Sequence, residues 1–515
     1  MRIERTKNAV RNIKFGFILK IYQLLTPFLL RTAVIYKLGV QYVGLSSLFG
    51  SILSVLSLAE LGVGAAMVFS MYKPIAEEDT ETICALMSLY KQYYRAIGMV
   101  ILVVSLILTP FIPNLISGDV PNDINIYVLF LINVASTVLS YWLFAYKSCL
   151  FTAHQRGDIS SKISLVISTL TYILQAIALF IWGNYYLYLA VGVLTQILQN
   201  VIASKLADQL YPNYQAKGNV SFEIRKKINQ RVRDLFTAKV GGVIFNSTDT
   251  IVISAFLGVT ILGVYNNYFY IMSSIVGFLD IIYYGCLAGI GNSLVTETKE
   301  KNYQDFEIFT FLISYIATIA TTCFLNLYQP FMKIWMSNNE NMLLDMGIVI
   351  CLCIYFFVGQ INRVVNMYKD AAGIWHIDRF RPLVAGITNL CLNLVMVRYI
   401  GLFGIILSTV IATILVDCPW LVVKLFNTVF EKKNRKKYIK DIFIYAIVAV
   451  LVSSVTFFCC NLVKDGGIFE LFIKLIICVS ISNVIMLCVY RKRREFIQVR
   501  ERILKTLKER MNKSK

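Results

Sequence analysis

The chain has 515 residues, 57% hydrophobic and 16% charged, with many separate apolar runs of about 20 residues. Only helices or closed barrels satisfy their backbone in lipid, and the short alternating strands of a barrel are absent, so the chain reads as an all-α polytopic membrane protein. The net charge of +20 does not call for nucleic acid, because basic residues crowd into the cytoplasmic loops of such proteins.

In chain order the apolar runs predict fourteen spans: 15–36, 43–70, 96–117, 125–146, 160–181, 185–204, 234–257, 263–293, 307–328, 346–368, 382–398, 401–424, 441–463 and 469–490. The second and eighth are long enough to tilt or to extend beyond the bilayer. The first span reads as retained, since no small-residue cleavage site precedes it. Alternate loops divide the cations unevenly. One set, which includes both termini, holds 41 of the 50 Lys and Arg. The other set holds only Lys37, Lys333, Arg398 and Lys464. That asymmetry predicts cytoplasmic termini. The tail places Phe496, Val499, Ile503, Leu507 and Met511 at helical spacing among cations, a pattern suited to an anionic inner leaflet.

A short cluster repeats. Leu38-Gly39-Val40 with Gly44-Leu45 recurs 219 residues later as Leu257-Gly258-Val259 with Gly263-Val264. At the same offset Lys20 falls on Lys239 and Ser54 on Ser273. Six spans separate the copies, so the repeat is parallel. It predicts two pseudo-symmetric six-helix lobes, 1–204 and 234–430, joined by a basic linker at 205–233. Two extra helices follow at 431–490, and then a basic tail at 491–515.

Charges inside a bilayer are costly, so each is a candidate for function. Lys20 and Arg31 are eleven residues apart, close to three turns, and share a face about 16 Å apart. Either they line a hydrated cavity, or Lys20 snorkels inward and Arg31 outward. Lys239, Asn246 and Thr250 occupy the corresponding face of the seventh span, with Asp249 alongside. Lys20, Arg31, Lys239 and Asn246 are the candidates for binding an anionic head group. Glu60, Asp249 and Asp280 are the candidates for coupling or gating. Arg363 and Asp417 read as anchors near the cytoplasmic ends. Ser and Gly residues in the second and eighth spans read as helix packing. His154 and His376, the two histidines, fall in loops and are expected to be exposed. The twelve cysteines read as small packing residues. No phosphate loop or metal-ligand spacing is present, so no cofactor, metal or catalytic residue is assigned.

A first span that supplies Lys and Arg but no acid suits an anionic substrate such as a lipid phosphate or pyrophosphate. Outward movement of one negative charge across an inside-negative membrane of 100 mV is favoured by about 2.3 kcal/mol.

The run from Arg31 through Leu38-Gly39, Gly44-Leu45 and Glu60 before Gly62 and Gly64 resembles the start of Wzx-type polysaccharide flippases. These belong to the multidrug/oligosaccharidyl-lipid/polysaccharide exporter superfamily. The resemblance, which extends over nearly the whole chain, implies two lobes around a central cavity and alternating access. It implies a non-enzymatic exporter of an undecaprenyl-pyrophosphate-linked oligosaccharide, working in the cell membrane with polysaccharide polymerase and glycosyltransferases as candidate partners. It further implies that Lys20, Arg31 and Lys239 hold the pyrophosphate and that the two extra helices form a groove for the lipid tail. A lipid II flippase differs only in substrate. A drug or cation antiporter of the same fold predicts twelve spans and an acid in the first. A membrane scaffold would leave the polar stripes unexplained.

Overall fold

A computed structural model describes residues 5–501 except 61, 119, 338 and 464–466. Lys464, Ile503, Leu507 and Met511 lie outside the described residues. The elements among the described residues are helices: α1 Arg5–Lys37, α2 Val40–Leu56, α3 Val63–Ala76, α4 Thr80–Leu108, α5 Ile126–Trp142, α6 Cys149–Ala153, α7 Gly157–Ile177, α8 Tyr185–Leu210, α9 Phe222–Leu257, α10 Val259–Thr296, α11 Lys299–Trp335, α12 Met346–Ala371, α13 Trp375–Asp378, α14 Arg381–Ala412, α15 Cys418–Thr428, α16 Asn434–Asn461 and α17 Ile468–Tyr490.

Among the described residues, 11 helical stretches are long and apolar enough to cross a membrane, and a pair bent by 55° (Ile126–Trp142 with Ala145–Ala153) brings the number to 12. The fourteen predicted spans are reached only by two further steps. The stretch His376–Thr428 divides at Ile400–Gly401, where Gly401 takes a φ of 55° that interrupts the helix. The second predicted span, 43–70, is not one long tilted helix but two short ones, α2 and α3. A 3₁₀ turn at Ser57–Glu60 and a left-handed Gly62 (φ 96°) separate them. Its counterpart in the repeat, α10, runs unbroken for 38 residues.

Two compact units emerge, Met1–Asn266 and Asn267–Lys515. In the first, α1 packs on α7, and α9 packs on α2 and α3. The two copies of the repeated turn meet inside this unit. Gly39 and Gly258 adopt nearly the same extended, positive-φ conformation (φ 122° and 93°, ψ 164° and 166°). A methyl group on Gly44 would fall 2.0 Å from the Val259 carbonyl oxygen; one on Gly263 would fall 2.4 Å from that of Val40. These are the same contact read from each side of the 219-residue offset. The repeat motif is thus a self-complementary helix crossing that only glycine permits.

In the second unit α11 is the central post, packed by α12, α16 and α17. The C-terminal pair carries its apolar side chains outward, with Phe443, Val450 and Phe458 about 70% exposed, as suits a lipid-facing surface. The start of the tail is docked on this unit. Phe496 packs on Phe311 at 6.4 Å, and Arg493 donates to Asp441 and to the Tyr445 hydroxyl, both at 3.2 Å.

Candidate functional site

Glu60 sits on the 3₁₀ turn that breaks the α2–α3 span. The Tyr141 hydroxyl donates to one of its oxygens at 2.7 Å, and the Tyr94 hydroxyl donates to the other at 3.2 Å. Tyr90 in turn donates to Tyr94 at 2.6 Å. Gly64 keeps room for this chain, since a methyl group there would meet the Tyr90 hydroxyl at 3.1 Å. The broken helix therefore serves to place a carboxylate at the end of a hydroxyl relay, where polar partners satisfy the interrupted segment. Among the described residues no cation pairs with Glu60. The two tyrosine hydroxyls tie this carboxylate to α4 and α5.

The acids of the second unit are held differently. Asp280 on α10 pairs directly with Arg363 on α12. The Asp417 carboxylate is held by the Asn362 amide and by Arg381. Arg381 also grips both oxygens of Asp378 at 2.9 Å and donates to the Asn366 amide oxygen at 3.0 Å. Lys369 reaches Asp378 at 3.5 Å. Arg363 and Asp417, expected to be interfacial anchors, are thus partners of α10 and α14.

The predicted cationic stripe lies on the first unit. Lys20 and Gln23 are exposed on α1. Leu29, nine residues from Lys20, is 66% exposed on the opposite side of the same helix, since 100° per residue puts it half a turn away. The lipid-like and cationic faces of α1 are therefore separate faces. Arg31 is half-buried and within electrostatic reach of Tyr188. On α9, Lys239 and Asn246 are both exposed within about 20° of one another around the axis. The Asn246 amide donates to its own helix at Gly242. Asp249 is half-buried on an adjoining face.

Two arrangements were not read from the sequence. His154, expected to be exposed, is buried and stacked on Tyr211 at 4.3 Å, and burial pushes its imidazole below the usual range. At the α6–α7 junction that follows it, the wholly buried carboxylate of Asp158 gathers Arg11 (2.9 Å), Arg156 (3.0 Å) and Lys162 (3.5 Å). The second is an apolar cavity of about 590 Å³ within the second unit. Phe357 and Ile361 of α12, Val422 of α15, and Ile442 and Ala446 of α16 line it, with Asn362, Arg435 and Tyr438 among its polar members. Its walls come from helices up to about 90 residues apart in sequence, which no local pattern brings together.

No protein-family model matches the chain, and no curated protein matches it. Solved structures do. The lipid II flippase MurJ in an inward closed conformation superposes with a TM-score of 0.60 at 14% identity, covering 93% of this chain and 99% of that one. An inward-facing multidrug-resistance MATE-family transporter of the MOP superfamily gives 0.57 at 14% identity, covering 79% and 96%. A MOP-superfamily transporter from Pyrococcus furiosus, described as having a binding pocket of reverse polarity, gives 0.51 at 12% identity, covering 81% and 93%. The chain therefore has the all-helical MOP transporter fold, and identities this low speak for the fold alone.

Proposed function

We propose that this chain is a flippase that carries an undecaprenyl-pyrophosphate-linked oligosaccharide from the cytoplasmic to the outer face of the cell membrane by alternating access, for cell-surface polysaccharide. Both termini lie in the cytoplasm on this reading. Lys20, Arg31, Lys239 and Asn246 meet the anionic head group and its first sugars. The repeat supports this pairing of α1 with α9, since their exposed cations occupy equivalent positions. Glu60 serves as the coupling carboxyl, with Asp249 and Asp280 in gating.

The single observation that carries a lipid substrate is the apolar cavity where α16 meets α12 and α15. It is open, lined almost wholly by hydrocarbon, and bordered by Arg435. A soluble drug or cation has no use for such a trough; a polyprenyl tail attached to a charged head does. Among the solved structures, the lipid II flippase spans 93% of this chain and the MATE transporter 79%, which supports the same direction. A lipid II substrate is the second reading, favoured by that same neighbour.

The test fills the cavity. Ala446→Trp, or Val422→Trp, should slow flipping of a polyprenyl-linked oligosaccharide in reconstituted vesicles and leave a short-chain analogue unaffected. Equal effects on both substrates would sink the groove reading.

A further inference from the structure

The Asp158 cluster, where α1 meets the start of α7, holds more cations than its one acid needs. Arg11, Arg156 and Lys162 all reach the Asp158 carboxylate, at 2.9, 3.0 and 3.5 Å. Three cations against one acid leave a surplus of two positive charges. The acid is wholly buried, yet all three cations stay partly exposed. Arg156 meets Asp158 through Nε, which keeps the fork of its two amino groups out of that contact. Such forks match phosphate oxygens. Lys162 also lies over the Phe15 ring at 4.3 Å, which ties it to α1.

Beyond the cluster both helices present apolar side chains. They run side by side in the same direction. Arg11 and Lys162 share Asp158, and Tyr22 and Tyr172, eleven and ten residues further along, meet at 5.9 Å. On α1, Ile18 and Leu25 lie within about 40° of Arg11 around the axis, and both are exposed. On α7, Val166 and Ile173 lie within about 40° of Lys162, and both are more than half exposed. Two apolar stripes therefore start from one cationic head. An acyl chain reaches about 15 Å into its leaflet, half of a hydrocarbon core about 30 Å thick. At 1.5 Å per residue, Ile18 lies about 10 Å beyond Arg11, and Ile173 about 16 Å beyond Lys162. Lys20, nine residues from Arg11, projects from the opposite side of α1, so this cluster is separate from the candidate substrate cations.

We propose that Arg11, Arg156 and Lys162 bind the phosphate of an anionic phospholipid, whose acyl chains lie along the α1 and α7 stripes. Basic pockets between membrane helices hold acidic head groups in this way. A water-soluble phosphate would use the cations and leave the stripes without a role. The lipid is a resident of the bilayer, not the cargo, and it clamps α1 to α7. Only the choice of leaflet rests on the cytoplasmic N-terminus proposed above.

The experiment strips the full chain of lipid in a neutral detergent and titrates it with phosphatidylglycerol or phosphatidylcholine, counting bound lipid by native mass spectrometry. One phosphatidylglycerol per chain should bind at least about tenfold more tightly than phosphatidylcholine. Lys162→Gln should weaken it about fivefold, and Arg156→Gln combined with Lys162→Gln should abolish the preference. If the double variant does not fold, Val166→Trp carries the test. It obstructs a stripe, leaves the ion pairs alone, and should also weaken phosphatidylglycerol. Lys301→Gln, at a partly exposed cation of the second unit, should change nothing. Equal affinity for the two lipids in the native chain, or an undiminished preference in folded Lys162→Gln, overturns the proposal. Displacement of phosphatidylglycerol by an equal concentration of polyprenyl pyrophosphate would assign the cations to the substrate, and displacement by inorganic phosphate would assign them to a soluble ion. Either result overturns it too.

Discussion

Glu60 in the first unit and Asp280 in the second are both carboxylates within apolar segments, yet they are held in opposite ways. Glu60 ends a chain of tyrosine hydroxyls and has no cation partner among the described residues. Asp280 is neutralised by Arg363. Further along the same unit, Arg381 bridges Asp378 and Asp417. An acid paired with arginine keeps its charge and fixes two helices. Asp280 and Asp417 thus join helices through arginine, and Glu60 joins them through tyrosine hydroxyls.

The largest expected effect comes from the joints. Arg381→Met leaves the buried Asp378 and the half-buried Asp417 without their shared cation, and removing one partner of a buried pair costs about 3–5 kcal/mol. Thermal unfolding in detergent should show a fall in Tm larger than for any other single change described here. A wild-type Tm would mean that the second unit's acids are not compensated as described. Asp280→Asn should follow with a smaller loss, because that pair is partly exposed.

Glu60→Gln should divide the comparison most sharply. The amide oxygen still accepts from a tyrosine, so stability should fall by about 1 kcal/mol or less. Transport by this variant should lose its response to an imposed pH gradient, whereas Asp280→Asn should keep that response. A pH response in Glu60→Gln equal to the native one would remove the coupling role.

The smallest effect is expected at His154. Burial lowers its pKa from the ordinary 6.5, so the unfolded chain binds a proton more readily than the folded one. Its contribution to stability is present above about pH 6.5 and is lost as pH falls below that value. His154→Gln should flatten the stability-against-pH curve below about pH 6.5. An unchanged slope would place the acid sensitivity elsewhere.

Much of this was legible in the chain. The apolar runs gave the helical class, because hydrophobic length is a local property. The Leu-Gly turns at 38–39 and 257–258 marked the repeat, because positive φ and close backbone approach both demand glycine. Glu60 before Gly62 and Gly64 marked a special place, though not that the helix breaks there. The partners were not legible. Tyr94 and Tyr141 lie 34 and 81 residues from Glu60, and Arg363 lies 83 from Asp280. Nothing in the sequence separates an acid that meets a tyrosine from one that meets an arginine. The apolar cavity and the buried His154 failed to appear for the same reason, since both depend on helices remote in sequence.

The central claim is that the substrate is a polyprenyl-pyrophosphate-linked oligosaccharide, held through Arg31. Its most direct test places that lipid in the inner leaflet of vesicles containing the full chain and follows exposure of its sugars to an external glycosidase. The native chain should expose them faster than protein-free vesicles do, and Arg31→Ala should return the rate to the protein-free value. A native rate no faster than that of protein-free vesicles would contradict the account.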